Sequence, residues 1–279
     1  MKIASRIYTT LIFVFLYAPI AVMILFSFNG SSSTAVLDGF SFRWYRELFS
    51  NAAAGEALLN TLWLALLSAS IATVLGTLAA VALSKMKRRW LRSTHTSVLN
   101  IPMMNPDIVT AVSMLMLFVF VGNVLGIASR SFLTVLIAHV TFNLPYVTLS
   151  VMPKLRQMDR NLPEAAADLG CTPLRSFFLV ELPAILPGVL SGALMAFTLS
   201  LDDFIITQFT KGEGFYTLPT YIYSMTKRKV APDMYALSTL IFLVILLLLV
   251  LSNLVQAKMD ERRNPKKNAK ARSKKGTLH

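Results

Sequence analysis

Asp107, Asp202 and Asp203 are carboxylates in or beside long apolar runs of a 279-residue chain. A carboxylate inside a bilayer is costly and usually faces a cavity or an aqueous path. Several together suit the passage of a cation, and Phe142, Tyr146, Phe197 and Phe204 add candidate cation–π faces for an amine. Asp202 lies 15 residues beyond Pro187, roughly 22 Å along a helix. That depth puts the Asp202–Asp203 pair in the outer half of a membrane or at its mouth. Asp107 lies a similar 15 residues past Arg92, with Pro102 and Pro106 interrupting the count. Plainer roles compete for each. Asp107 follows Pro106 and suits a helix N-terminus through the dipole, with Asn105 as cap. The Asp pair suits the outer headgroups, facing Lys211 or Lys227, and His139 suits a hydrogen-bonded packing position.

Catalytic chemistry finds little support. His95 is followed by Thr96, His139 by Val140, and His279 ends the sequence, so the zinc-protease pattern His-Glu-x-x-His is absent. There is no Gly-x-Ser-x-Gly nucleophile elbow. None of the 12 glycines precedes a Lys, so the chain has no Walker A phosphate loop of its own. The single cysteine, Cys171, excludes an intrachain disulfide and offers no metal cluster.

The elements that must position these residues are membrane helices. Hydrophobic residues make up 55% of the chain and charged ones 15%, against about 25% in soluble domains. Residues Ile7–Leu37 and Ala57–Ser84 contain no Asp, Glu, Lys or Arg, and about 20 apolar residues suffice to cross a bilayer. The expected fold class is therefore all-α and polytopic. Its six spans are Ile7–Phe28, Leu58–Leu83, Val98–Val121, Phe132–Met152, Leu186–Leu201 and Met234–Val255. The first is too long for the apolar core of a signal peptide and reads as a retained span. Gly188 and Gly192 form a GxxxG suited to close helix packing.

Charge placement explains the net +13 without nucleic acid and orients the chain. With the N-terminus inside, 20 Lys and Arg fall on the cytoplasmic side and 7 outside, as the positive-inside rule requires. Both termini are then cytoplasmic. A permease domain over 1–257 would be followed by a basic, disordered tail at 258–279 that lies against anionic lipid.

One cytoplasmic segment carries a longer pattern. It reads Glu164-Ala165-Ala166, three residues, Gly170, nine residues, then Val180-Glu181-Leu182-Pro183. Residues Asn161 to Leu169 suit a short helix, polar on Glu164 and Asp168 and apolar on Leu162, Ala165 and Leu169, with Asn161 as a weak N-cap. Gly170 suits its left-handed end. Pro173 opens a second helix, which Pro183 ends or kinks. The two alanines would let another surface approach closely.

This frame resembles the EAA loop of ABC-importer permeases: Glu-Ala-Ala, three residues, Gly, nine residues, Ile-x-Leu-Pro, with Val180 replacing the Ile. The resemblance implies a type I importer fold. It also implies that the 161–183 loop, through Glu164, Ala165, Ala166, Asp168, Gly170, Leu182 and Pro183, seats in a cleft of a separate dimeric ATPase that binds the ATP and Mg. A second homologous permease and an extracytoplasmic solute-binding protein complete the implied assembly. Over roughly residues 10–255 the chain is similar to permeases of the spermidine/putrescine importers. The segments that carry this are Tyr17-Ala18-Pro19, Ser27-Phe28-Asn29, Trp44-Tyr45, Asn105-Pro106-Asp107-Ile108-Val109, Ala138-His139-Val140-Thr141-Phe142, Phe197-Thr198-Leu199-Ser200-Leu201-Asp202-Asp203, Leu218-Pro219 and Ile222-Tyr223-Ser224-Met225. Polyamine uptake is the implied activity. The alternatives are a permease for another small solute, such as an aminophosphonate, or a secondary carrier. A carrier would not need the loop frame and commonly shows inverted repeats, of which none is visible.

Overall fold

The computed structural model describes residues 2–31, 36, 38–126, 130–159, 161–226, 235–240, 242–244, 246, 247, 250 and 254. Its regular elements are helical, as the run lengths require. Five helices are long and apolar enough to cross a membrane: Arg6–Ser27, Ala52–Lys85, Asp107–Leu125, Phe132–Gln157 and Pro173–Asp202. The sixth expected span, Met234–Val255, lies partly outside the described residues; within them Tyr235–Val244 is a shorter apolar helix. Residues 258–279 and Lys227, Arg228 and Lys229 lie outside them altogether.

The chain groups into two compact units, Met1–Asn60 with Tyr216–Leu248, and Thr61–Phe215 with the residues from Leu249 onward. The first unit contains α1 (Lys2–Ser27), α2 (Arg43–Ser50), the start of α3 (Ala52–Lys85) and α11 (Leu218–Thr226). Its outer loop is tied down by polar contacts on Asn29. The Trp44 indole N–H donates to the Asn29 carbonyl at 2.6 Å, and the Asn29 amide holds Val36 O and Asp38 N at 2.7 Å each. Phe28 stacks on Phe40 and leans on Tyr45. The separate sequence segments Ser27–Asn29 and Trp44–Tyr45 thus form one contact.

The second unit holds the rest of α3, then α4 (Arg89–Met104), α5 (Asp107–Leu125), α6 (Phe132–Gln157), α7 (Leu162–Asp168), α8 (Pro173–Ser176), α9 (Leu182–Asp202) and α10 (Ile205–Thr210). Small residues set its packing, because helices in lipid associate through close backbone approach more than through burial of apolar surface. A Cβ at Gly188 would stand 2.8 Å from Lys154 Cγ and 2.9 Å from the Ser150 carbonyl. One at Gly76 would stand 2.7 Å from Val147 Cβ. The GxxxG of α9 and Gly76 of α3 therefore both close on α6. Ala69, Ala72, Ala80, Val147, Val151, Ile185 and Ala196 fill the space between.

Two expected boundaries are corrected. The apolar run Val98–Val121 is two helices, because Asn105 is extended (ψ 143°) ahead of Pro106 and α4 ends there. The ring of a proline crowds the residue before it out of helical geometry. The fifth span is longer than Leu186–Leu201: a continuous 30-residue helical path runs from Pro173 to Asp202. Pro183 neither ends nor sharply breaks it. Phe177–Glu181 widens to a π-helical turn, in which the Leu182 N–H bonds to the Phe177 carbonyl. The wider turn makes room for a ring that would otherwise clash with the carbonyl four residues back.

Candidate functional site: a loop and a carboxylate cluster on one helix

α9 carries a candidate site at each end. At its start, the loop after α6 forms the helix–turn–helix expected from the sequence. The first helix, α7, closes with Gly170 at φ +82°; the Gly170 N–H bonds to Ala167 O and the Cys171 N–H to Ala166 O. These paired bonds satisfy the last carbonyls and need a residue at ease with positive φ. Pro173 then opens α8 at its first position. Asn161 does not cap α7: its backbone is helical, its side chain makes no cap bond, and its N–H instead donates to Asp159 Oδ1 at 3.0 Å.

Glu164 and Asp168 are exposed, and Glu164 sits in the first turn of α7, where the helix dipole favours an anion. Ala165 faces out, whereas Ala166 is buried, so only the first alanine offers the close approach expected of both. Leu169 (86% exposed), Leu174 and Phe178 of the same segment are exposed apolar residues. Leu182 is half-buried and Pro183 exposed at the exit into α9.

At the far end of α9, the structure brings the three aspartates into one neighbourhood. Asp202 is exposed and within electrostatic reach of both Asp107 and Asp203. Asp107 is exposed at the first position of α5, after Pro106. Asn105 is the C-cap of α4 and not a cap for Asp107. Tyr146 lies within reach of the Asp107 charge, and its ring is 5.4 Å from that of Phe142. Phe197 packs instead with Ala69, Val147 and their neighbours, away from this group.

Asp203 differs from its neighbour. Its side chain is 10% exposed. One carboxylate oxygen accepts from the Thr207 N–H and hydroxyl at 2.8 Å each, and the other from the Ile206 N–H at 3.3 Å. His139 Nε2 stands 3.3 Å from Asp203 Oδ2 and 2.9 Å from Thr207 Oγ1. His139 Nδ1 meets Ser200 Oγ at 2.7 Å, and Ser68 Oγ donates to Ser200 at 3.0 Å. Since a carboxylate only accepts, the Thr207 O–H must point to Asp203, which leaves Thr207 Oγ1 to accept from Nε2–H. His139 Nδ1 bonds to Ser200 Oγ, and every link of a Ser68–Ser200–His139–Thr207–Asp203 chain has a partner. Where a pairing with Lys211 was expected, Asp203 is held by this buried chain and the Lys211 ammonium donates to the Phe215 carbonyl; the alternative partner, Lys227, lies outside the described residues. His139, 2% exposed, is the hydrogen-bonded packing residue expected and also the partner of Asp203. Sequence reasoning missed Ser68, Ser200 and Thr207. The one available signal was Thr207 four residues past Asp203, the spacing of an acid that accepts from a helix's first N–H groups.

The pattern of the family described as "Binding-protein-dependent transport system inner membrane component" matches residues 72–264. The chain belongs to that family. It is a multi-span membrane permease of an ABC importer. Among its relatives, the putrescine transport system permease protein PotI of Escherichia coli K12 is 43% identical over 230 residues, 82% of each chain. The spermidine/putrescine transport system permease protein PotC of Haemophilus influenzae is 39% identical over 247 residues, 88% of this chain and 94% of the relative. Two solved structures share the fold at lower identity. A bacterial ABC transporter involved in import of the acidic polysaccharide alginate gives a TM-score of 0.74 at 17% identity, covering 92% of this permease and 95% of that chain. The MetNI methionine ABC transporter gives 0.59 at 18%, covering 74% and 95%.

Proposed function

We propose that this permease imports polyamines, putrescine or spermidine, as one half of a heterodimeric channel. A solute-binding protein outside delivers the cargo, and two copies of a separate cytoplasmic ATPase hold the ATP and Mg and drive the cycle. Both termini are cytoplasmic in this reading, which puts the 161–183 loop within reach of the ATPase. The observation that carries the cargo assignment is the grouping of Asp107, Asp202 and Asp203 with Tyr146 at one end of α9, Phe142 being buried beneath the Tyr146 ring. An ammonium that sheds water needs negative charge and aromatic faces along its route. The relatives named for putrescine and spermidine transport support the same cargo.

Within the cluster the roles divide. Asp202 and Asp107 are exposed and meet the cargo weakly enough for release, whereas Asp203 is engaged by His139 and Thr207 and holds the turn between α9 and α10. At the other end, Glu164, Asp168 and the exposed Leu169, Leu174 and Phe178 dock the ATPase, and the Gly170 turn fixes their shape. Uptake of labelled putrescine and spermidine by the assembled transporter in proteoliposomes, with its binding protein, tests the cargo. Saturable, ATP-dependent uptake that unlabelled polyamine suppresses, and a neutral solute of similar length does not, is expected. Uptake indifferent to polyamine competition would contradict the reading.

A further inference from the structure

The turn that joins the loop to α9 contains a charge the family pattern leaves open. Glu181 occupies the variable position of Val180-Glu181-Leu182-Pro183 and is 2% exposed. Lys85, in the last turn of α3, reaches it with Nζ 2.9 Å from Oε1. The second oxygen, Oε2, is buried with no hydrogen-bond partner among the described residues. The pair is one-sided, with the Lys85 side chain 58% exposed and the carboxylate buried, so solvent screening at the lysine and desolvation at the glutamate leave it a poor source of stability. What it supplies is direction: one donor on α3 sets where the π-helical turn can sit.

We propose that Lys85 and Glu181 form a strut that splints the Phe177–Glu181 turn, so that the loop and α3 move as one body. The proposal rests on the coupling reading of the loop given above. The loop continues covalently into α9, but through a widened turn whose bonds are offset and easily reset. Without a brace, displacement of the knob would be absorbed there. The strut passes it to α3, which is linked further along to α6 by Thr148 Oγ1 on the Gly76 carbonyl and to α9 by Ser68 on Ser200. Both residues are positioning residues for transport and touch neither cargo nor nucleotide.

Spin labels at Asn161→Cys at the start of the loop and Leu78→Cys on α3, in a Cys171→Ser background, would report the distance between these elements in the assembled transporter. The parent should give one narrow distribution, the same without nucleotide and with a locked ATP analogue. Glu181→Gln, which keeps shape and removes charge, and Lys85→Gln should broaden or shift it, while Lys85→Arg should preserve it. The first two should also lose about five-fold or more of cargo moved per ATP hydrolysed, with assembly and ATP hydrolysis retained. An unchanged distribution in Glu181→Gln would overturn the strut. Loss of assembly in both Gln variants would overturn it too, by showing a merely structural pair. Glu164→Lys separates the readings: normal ATPase docking in that variant would sink the coupling role of the loop, while the nucleotide-free distances would still judge the strut.

Discussion

The two ends of α9 handle polar groups in opposite ways. At its start, charge and apolar surface stand outward together, with Glu164, Asp168, Leu169 and Phe178 exposed and the backbone locked by the Gly170 turn. At its end, polar side chains turn inward, and Ser68, Ser200, His139, Thr207 and Asp203 satisfy one another in the interior, leaving Asp202 outside. In the function proposed above, the first end is the one a large surface touches. The second holds a turn rigid while exposing one charge. Adjacent carboxylates can therefore have unrelated roles, and burial tells them apart where residue type does not.

Substitutions at the loop should have the largest effects. Gly170→Pro cannot adopt the φ of +82° and removes the N–H that bonds to Ala167 O. It should abolish uptake and weaken pull-down of the ATPase, while the protein still inserts in the membrane. Glu164→Lys should do the same by charge reversal. Full uptake in both variants would erase the contrast between the two ends.

Next come the buried chain and the helix seam. His139→Ala removes the ring contacts to Ser200 and Thr207, while Asp203 keeps its bonds from Ile206 and Thr207 and Ser200 its bond from Ser68. A buried hydroxyl left one bond short costs about 1–3 kcal/mol. A lowered thermal midpoint in detergent is expected, with Ser68→Ala milder because the far end of the chain loses one bond only. Gly188→Ala places a Cβ 2.9 Å from a backbone carbonyl on α6 and should cost about 1–3 kcal/mol through overpacking. The smallest effect on uptake is expected at Phe197→Leu, which packs away from the aspartates and should leave polyamine uptake within about two-fold, since the cost of the smaller side chain falls on packing and not on the cargo path. A selective loss of uptake there would return Phe197 to the cargo path.

The sequence made some of this visible. Run length alone located five spans, because about 20 apolar residues have no other stable use in a chain so poor in charge. The loop was legible because Gly170 and Pro173 dictate local backbone geometry by themselves. The Asn105–Pro106 break was masked by the apolar character of both flanking helices, so hydropathy merged α4 and α5. The π-helical turn before Pro183 was hidden because proline signals a conflict and not how the backbone resolves it. The Ser68–Ser200–His139–Asp203 chain joins residues up to 135 positions apart, and only tertiary packing brings them together. Nothing local distinguishes Ser68 from any other serine in an apolar helix.

The division of labour between Asp202 and Asp203 is tested most directly by two single variants, Asp202→Asn and Asp203→Asn, with polyamine uptake and thermal midpoint measured on the assembled transporter at matched expression. Asp202→Asn should lower uptake about ten-fold, equivalent to ~1.4 kcal/mol along the cargo path, with the midpoint unchanged. Asp203→Asn should lower the midpoint by several degrees as its bonds to His139 and Thr207 weaken, and lower uptake only as far as assembly falls. Parental uptake in Asp202→Asn, or a stable Asp203→Asn protein that fails to transport, would contradict the account.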